Sequence, residues 1–284
     1  MIVAVASGKG GTGKTTVSLN LANAWPGPVQ LVDCDVEEPN CHLFLQGLPA
    51  GEKPVALLIP QVDESRCDGC GECSRFCQFH AIAAAGGKAL VFSELCHACG
   101  GCSLVCPRQA IREVPKRIGV VSVLQAGQMT LIQGRLDVGV ATAPPLIRAV
   151  KACVNPALPV IVDAPPGTSC PVVAAVREAN YVLLVTEPTP FGLHDLTLAV
   201  DTIRALKLPF GVVVNRMGVG DDRVQAYCRQ QGIEIMLEIP DDRRIAEAYS
   251  RAELAACVLP EYGALFHTLR NRVLSRMAEA ERNV

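Results

Sequence analysis

The stretch that most constrains this chain lies at its beginning. An apolar run of strand length, "IVAVA" (2–6), leads into "GKGGTGKT" (8–15), and "TTVSLNLANAW" (15–25) continues with helical spacing. G-x-x-x-x-G-K-[ST] between a strand and a helix is a phosphate-binding loop. Its glycines let successive backbone N–H groups turn inward as an anion nest, and the helix N-terminus adds partial positive charge. Gly8, Gly10, Gly11, Thr12 and Gly13 form the expected cradle, with Thr16 just behind it. Lys14 is placed to reach the β- and γ-phosphates, and Thr15 to put its hydroxyl on Mg²⁺. The ligand this predicts is ATP or ADP with Mg²⁺.

Further strands follow at "VQLVD" (29–33), "LPVIVDAPPG" (158–167), "YVLLVTEPT" (181–189), "FGVVVNRMG" (210–218) and, more weakly, "IEIMLEIP" (233–240). Helical stretches lie at 171–179, 194–206, 221–231, 242–253 and 263–280. This alternation predicts an α/β fold with a doubly wound, mostly parallel sheet. Composition agrees: the chain is 50% hydrophobic but only 4% aromatic, so its core is Val, Leu, Ile and Ala. Strands of a covered parallel sheet are apolar on both faces.

Residues 61–117 break the pattern and hold eight of the fourteen cysteines. "CDGCGECSRFCQFHAI" (67–82) and "CHACGGCSLVCPRQAI" (96–111) align without gaps, and half of their positions are identical. Each contains C-x₂-C-x₂-C-x₃-C. In two-cluster ferredoxins the fourth cysteine of such a run ligates the other cluster. The spacing therefore predicts one 4Fe–4S centre on Cys67, Cys70, Cys73 and Cys106, and a second on Cys96, Cys99, Cys102 and Cys77. Zinc ribbons use two C-x₂-C pairs instead. His97 lies inside a set that is already complete, which assigns it no ligand role. Pro107 follows the second run as the pattern expects, whereas Gln78 follows the first. With Pro60 and Pro115 as edges, the expected organisation is an ATPase part at 1–60, a ferredoxin-like α+β insert at 61–117 and an ATPase part at 118–284. Residues 118–140 read as two or three short strands with turns at Ala126–Gly127 and Gly134–Arg135, an extension on which the insert docks.

The net charge of −2 and a pI near 6.2 give no basic stripe for nucleic acid. No apolar run approaches the ~20 residues of a membrane span. The N-terminus has no basic leader, so the expected location is cytoplasmic, and many cysteines there indicate metal ligation rather than disulfides. In "ALFHTLRNRVLSRMAEAERNV" (264–284), Leu265, Phe266, Leu269, Val273 and Met277 share a helical face beside Arg270, Arg272 and Arg276. That face is expected to pack on the sheet rather than lie on a membrane.

"KGGTGKTT" (9–16) is similar to the deviant Walker A loop of MinD/ParA-class ATPases. With the eight-cysteine segment, the chain resembles MinD-superfamily P-loop ATPases that carry an inserted two-cluster ferredoxin domain. The resemblance implies slow ATP hydrolysis and an ATP-bound homodimer in which Lys9 reaches the partner's nucleotide. It makes "VDCDVEEPN" (32–40) a first switch, with Asp35 orienting the attacking water and Asp33 near the Mg²⁺ shell. It makes "IVDAPPG" (161–167) a second, with Asp163 holding a magnesium water and Gly167 swinging toward the γ-phosphate. It also implies that Asn215 reads the adenine and that Pro240 and Asp241 close over it. Three functions follow from the resemblance. One is a dimer coupling ATP state to electron transfer toward a redox or cluster-acceptor protein. Another is an Mrp-like cluster carrier, with Cys170 paired across the dimer. The third is a positioning ATPase of the MinD/ParA kind.

Overall fold

The computed structural model describes residues 1–282. The opening elements are β1 (Ile2–Ala6), α1 (Lys14–Asn23) and β2 (Val29–Asp33). A long strand, β3 (Leu48–Val62), leads out to a small cysteine-rich lobe. The lobe contains α2 (Glu72–Phe76), the hairpin β4 (Ile82–Ala85) and β5 (Lys88–Val91), and α3 (Gly101–Leu104). The chain returns along β6 (Ile111–Ala126) and turns into β7 (Met129–Leu136). Strand and helix then alternate through α4 (Pro144–Lys151), β8 (Val160–Asp163), α5 (Cys170–Val176), β9 (Tyr181–Thr186), α6 (Pro190–Ala205), β10 (Phe210–Met217), α7 (Arg223–Gln230) and β11 (Ile235–Pro240). Three helices close the described chain: α8 (Arg243–Ser250), α9 (Ala255–Val258) and α10 (Pro260–Arg282).

One nine-stranded sheet runs in the order β11-β10-β9-β1-β8-β2-β7-β6-β3. The strands from β11 to β7 are mutually parallel, and β6 is antiparallel to both β7 and β3. The fold is thus the mostly parallel α/β sheet anticipated, with an antiparallel extension at one edge. Both faces are covered, which is why its strands read as continuous apolar runs. Alternate residues serve opposite cores. Ala4, Val32 and Val162 pack with Leu146, Val172 and Val200 on one side. Val3, Leu31 and Ile161 pack with Val17, Phe266 and Leu269 on the other.

Helix α10 belongs to that second core. Phe266, Leu269, Val273 and Met277 are buried, and Leu265 packs beside them. Its arginines are also engaged: Arg270 donates to the Ala24 carbonyl, and Arg272 to the Met236 carbonyl. Arg276 pairs with Glu234. Among the described residues, no helix is long and apolar enough to cross a membrane.

The edge strands depart from the expected boundaries. β6 is one strand through Pro115, and β3 runs through Pro60. The turn at Ala126–Gly127 is present, with Gly127 at φ +56°. Gly134 and Arg135 do not form a turn; they lie inside β7, which is part of the main sheet. The last β6–β7 pair is Gly119–Leu136, yet β3 and β6 stay paired from Val55–Gly119 out to Val62–Ile111. They leave the sheet as a two-stranded ribbon of about seven residue pairs, roughly 23 Å at about 3.3 Å per residue. Because β7 runs parallel to β2, the ribbon departs from the edge where Asp33 and Asp163 end their strands.

Candidate functional site

Three consecutive elements build the phosphate end of the cleft. β1 ends at Ala6, the loop turns through Gly11 (φ +78°) and Gly13 (φ +92°), and α1 starts at Lys14. Those positive φ angles disfavour any side chain. Gly8 lies so close to α6 that a Cβ would stand 2.1 Å from the Asp195 carbonyl oxygen. Gly10, Gly11, Gly13, Lys14, Thr15 and Thr16 line a cleft of about 680 Å³, together with Asp35, Asn215, Pro240 and Asp241. Lys9 turns aside to Glu187, 3.7 Å away. Thr12 is buried, and its hydroxyl has no partner.

Beneath the loop are two buried carboxylates from neighbouring strands. Asp163 accepts from the hydroxyls of Thr15 (2.7 Å) and Ser18 (2.9 Å). Asp33 accepts from the backbone N–H groups of Asp35, Asn40 and Cys41, each at 3.1 Å. The Cys41 thiol lies 3.6 Å from Asp163 Oδ2. Burial raises the pKa of both aspartates, and their mutual repulsion adds to the rise in Asp33. Burial also lifts Asp35 to about 6, against the attraction of Lys14. Lys14 itself is lowered by burial despite all three carboxylates. The three carboxylates and the lysine thus share one desolvated pocket, in which burial disfavours every charged form.

The far end of the cleft is assembled from β10 and the start of α8. The Asn215 amide donates to the Thr12 carbonyl at 2.9 Å, tying β10 to the phosphate loop. The Asp241 N–H donates to the Met217 carbonyl at 2.9 Å. Asp242 caps α8 through the Arg244 N–H and also accepts from the Tyr262 hydroxyl, so it is occupied structurally. Tyr249, Ile245 and Arg216 complete the wall, and none of the three carries a sequence signal for that role. Gly167, at φ +95°, donates its N–H to the Ser7 carbonyl.

The eight lobe cysteines divide between two cavities. Cys67, Cys70, Cys73 and Cys106 line one cavity, and Cys77, Cys96, Cys99 and Cys102 line another. The sulfurs of Cys77, Cys96 and Cys106 accept N–H groups from Ala81, Ala98 and Ala110 at 3.3–3.4 Å. Among the described residues, one group of His, Cys, Asp or Glu donors has all its ligand atoms within 4.8 Å: Asp33, Cys41 and Asp163. His97 is stacked on Phe79, ring centroids 3.7 Å apart.

The two regions meet at the ribbon base. Val36, next to Asp35, accepts the Leu136 N–H at 2.9 Å, and the Asp137 N–H donates to the Ile118 carbonyl at 2.9 Å. Arg117 pairs with Asp137 at 3.0 Å. Gly134 has no room for a side chain there, because a Cβ would stand 2.7 Å from both Val36 and Val150.

A phosphate loop at the carboxyl edge of a parallel sheet, backed by two strand-end aspartates, defines a P-loop nucleotide-binding protein. The chain belongs to the family described as the CobQ/CobB/MinD/ParA nucleotide binding domain, whose model matches residues 3–255. Two uncharacterized proteins of Methanocaldococcus jannaschii are similar to it. MJ0579 is 33% identical over 89% of this chain and 90% of its own, and MJ0578 is 31% identical over 78% and 80%. Among solved structures, the septum site-determining protein MinD of Pyrococcus horikoshii, complexed with Mg-ADP, superposes with a TM-score of 0.58. It is 20% identical, over 96% of this chain and 95% of that one. An ATP complex of a variant McdA from Cyanothece gives 0.56 at 16% identity, over 95% and 94%. At such identities the likeness concerns the fold.

Proposed function

We propose that this protein binds Mg-ATP in the cleft, hydrolyses it slowly as a nucleotide-dependent homodimer, and couples nucleotide state to electron transfer through two 4Fe–4S clusters. One observation carries the coupling: the cysteine lobe stands on a ribbon whose base is hydrogen-bonded to the segment just after Asp35.

For hydrolysis, Lys14 holds the β- and γ-phosphates and Asp35 orients the attacking water, which forms a bond to the γ-phosphorus as the bond to ADP breaks. The Thr15 hydroxyl, with Asp33 and Asp163 behind it, would hold Mg²⁺, which neutralises phosphate charge. The convergence of the Thr15 hydroxyl with these two carboxylates supports that assignment. Asn215, Pro240 and Asp241 are assigned to the adenine. Lys9 is assigned to the partner's nucleotide in the dimer.

The insert is assigned to residues 61–117, flanked by ATPase parts at 1–60 and 118–284. Cys67, Cys70, Cys73 and Cys106 would hold one cluster, and Cys77, Cys96, Cys99 and Cys102 the other. The separate cavities and the N–H groups aimed at sulfur suit cubanes. Such clusters supply one-electron transfer, and the partner is a redox or cluster-acceptor protein.

A positioning ATPase is the second reading, favoured by the structural likeness to MinD and McdA. A cluster carrier would use Cys170, which is exposed at the start of α5, just past the second switch. Anaerobic reconstitution followed by EPR and potentiometry with and without Mg-ATP separates these. Clusters whose spectra and potentials ignore nucleotide overturn the coupling, and a lobe that takes up no iron removes the redox reading altogether.

A further inference from the structure

Glu187 is a buried carboxylate at the end of β9 with two cations on it. Arg216 donates through one guanidinium nitrogen to Oε1 at 2.9 Å, and Lys9 Nζ stands 3.7 Å from Oε2. The two cations come from opposite ends of the cleft: Lys9 from the phosphate loop, and Arg216 from directly after Asn215.

The backbone around Glu187 is closely confined. A Cβ on Gly192 would stand 2.2 Å from the Glu187 carbonyl oxygen, which accepts the Thr189 N–H. One on Gly220 would meet the Pro188 carbonyl oxygen at 1.4 Å, and that oxygen accepts the Asp221 N–H. Arg216 is held at φ +56°, a conformation that L residues rarely adopt. The backbone on both sides of the Glu187–Arg216 contact is therefore confined, and Lys9 carries the longer, weaker contact.

The contacts are unequal. At 2.9 Å the arginine is hydrogen-bonded, whereas at 3.7 Å the lysine is held by charge alone. A triphosphate carries several negative charges and competes for Lys9 more strongly than one carboxylate. If Arg216 stays, Glu187 is never left as an unpaired buried charge, which would be costly.

We propose that Glu187 is a positioning residue for Lys9: it holds that lysine within its own protomer, and nucleotide phosphates draw it away while Arg216 remains. This rests on the assignment of Mg-ATP to the cleft.

The test is calorimetric titration with Mg-ATPγS of wild type, Glu187→Gln, Lys9→Ala and the double variant. Glu187→Gln should bind about two- to fivefold tighter, the range expected for releasing a partly exposed ion pair. The gain should vanish in the Lys9→Ala background and be absent for AMP. A gain that persists without Lys9, or no gain at all, overturns the inference. If wild type itself takes up no Mg-ATPγS at millimolar concentration, the assignment of the cleft fails first, and this inference with it. A second readout needs no change at Glu187: in reductively methylated protein, the Lys9 NMR signal should shift with Mg-ATPγS and not with adenosine. A signal that ignores Mg-ATPγS overturns the inference even if Glu187→Gln fails to fold.

Discussion

The Thr15 hydroxyl donates to Asp163 Oδ2 at 2.7 Å, joining residues 148 positions apart. Ser18 holds the other oxygen of the same carboxylate. One helical turn of α1 therefore fixes the carboxylate at the end of β8.

Thr15→Ala should weaken Mg-ATP binding by tenfold or more, since a hydrogen bond to a charged group contributes about 1.5–3 kcal/mol. Binding of nucleotide in EDTA should change far less. Parallel titrations with and without Mg²⁺ check this. Equal losses in both would mean that Thr15 supports only the loop.

Asp35 should make the nucleotide-free protein sensitive to pH. Its folded pKa is raised to about 6 from an ordinary 3.8. The folded state then holds the proton more tightly than the unfolded chain does, so this group's contribution to stability falls as pH rises from about 4 through about 6. Melting temperature without nucleotide should therefore drop across that window. Asp35→Asn should reduce the drop and lower hydrolysis at least ~100-fold, while leaving Mg-ATP binding largely intact.

Oxygen-free reconstitution should give about eight irons per chain. Cys106→Ser and Cys77→Ser should each lose about half, and from different cavities, because each cysteine completes the other repeat's set. The discriminating comparison is EPR of the two variants. Identical spectra, or bound zinc, would contradict the crossed assignment.

Gly101→Ala should damage the lobe alone. A Cβ there would lie 2.0 Å from Phe76 Cε1, where α3 crosses α2. Iron content should fall by half or more, with Mg-ATP affinity unchanged. A parallel loss of nucleotide binding would show that the lobe and the cleft do not fold independently.

The phosphate loop was legible because it is a short pattern with its own local chemistry, and the cysteine repeat because its spacing recurs without gaps. The ribbon was not. β3 contains Pro49, Pro54 and Pro60, and β6 contains Pro115, residues that argue against a strand. β3 is an edge strand, and β6 beyond Gly119 is paired on one side only, so a missing N–H is tolerated. Helix α4 was hidden by Pro144 and Pro145, which read as breakers but sit in its first turn. Tyr249 and Arg216 line the cleft, Cys41 touches its aspartates and Glu187 touches Lys9, each from a separate part of the chain, so no spacing announces them.

The ribbon also sets a mechanical scale. It is anchored at one end and loaded at the other, about 23 Å away by strand geometry. A tilt of about 10° at Val36 and Leu136 would sweep its tip through roughly 4 Å by that length. A small adjustment in the segment after Asp35 would thereby be geared up into a displacement comparable to the spacing between neighbouring strands.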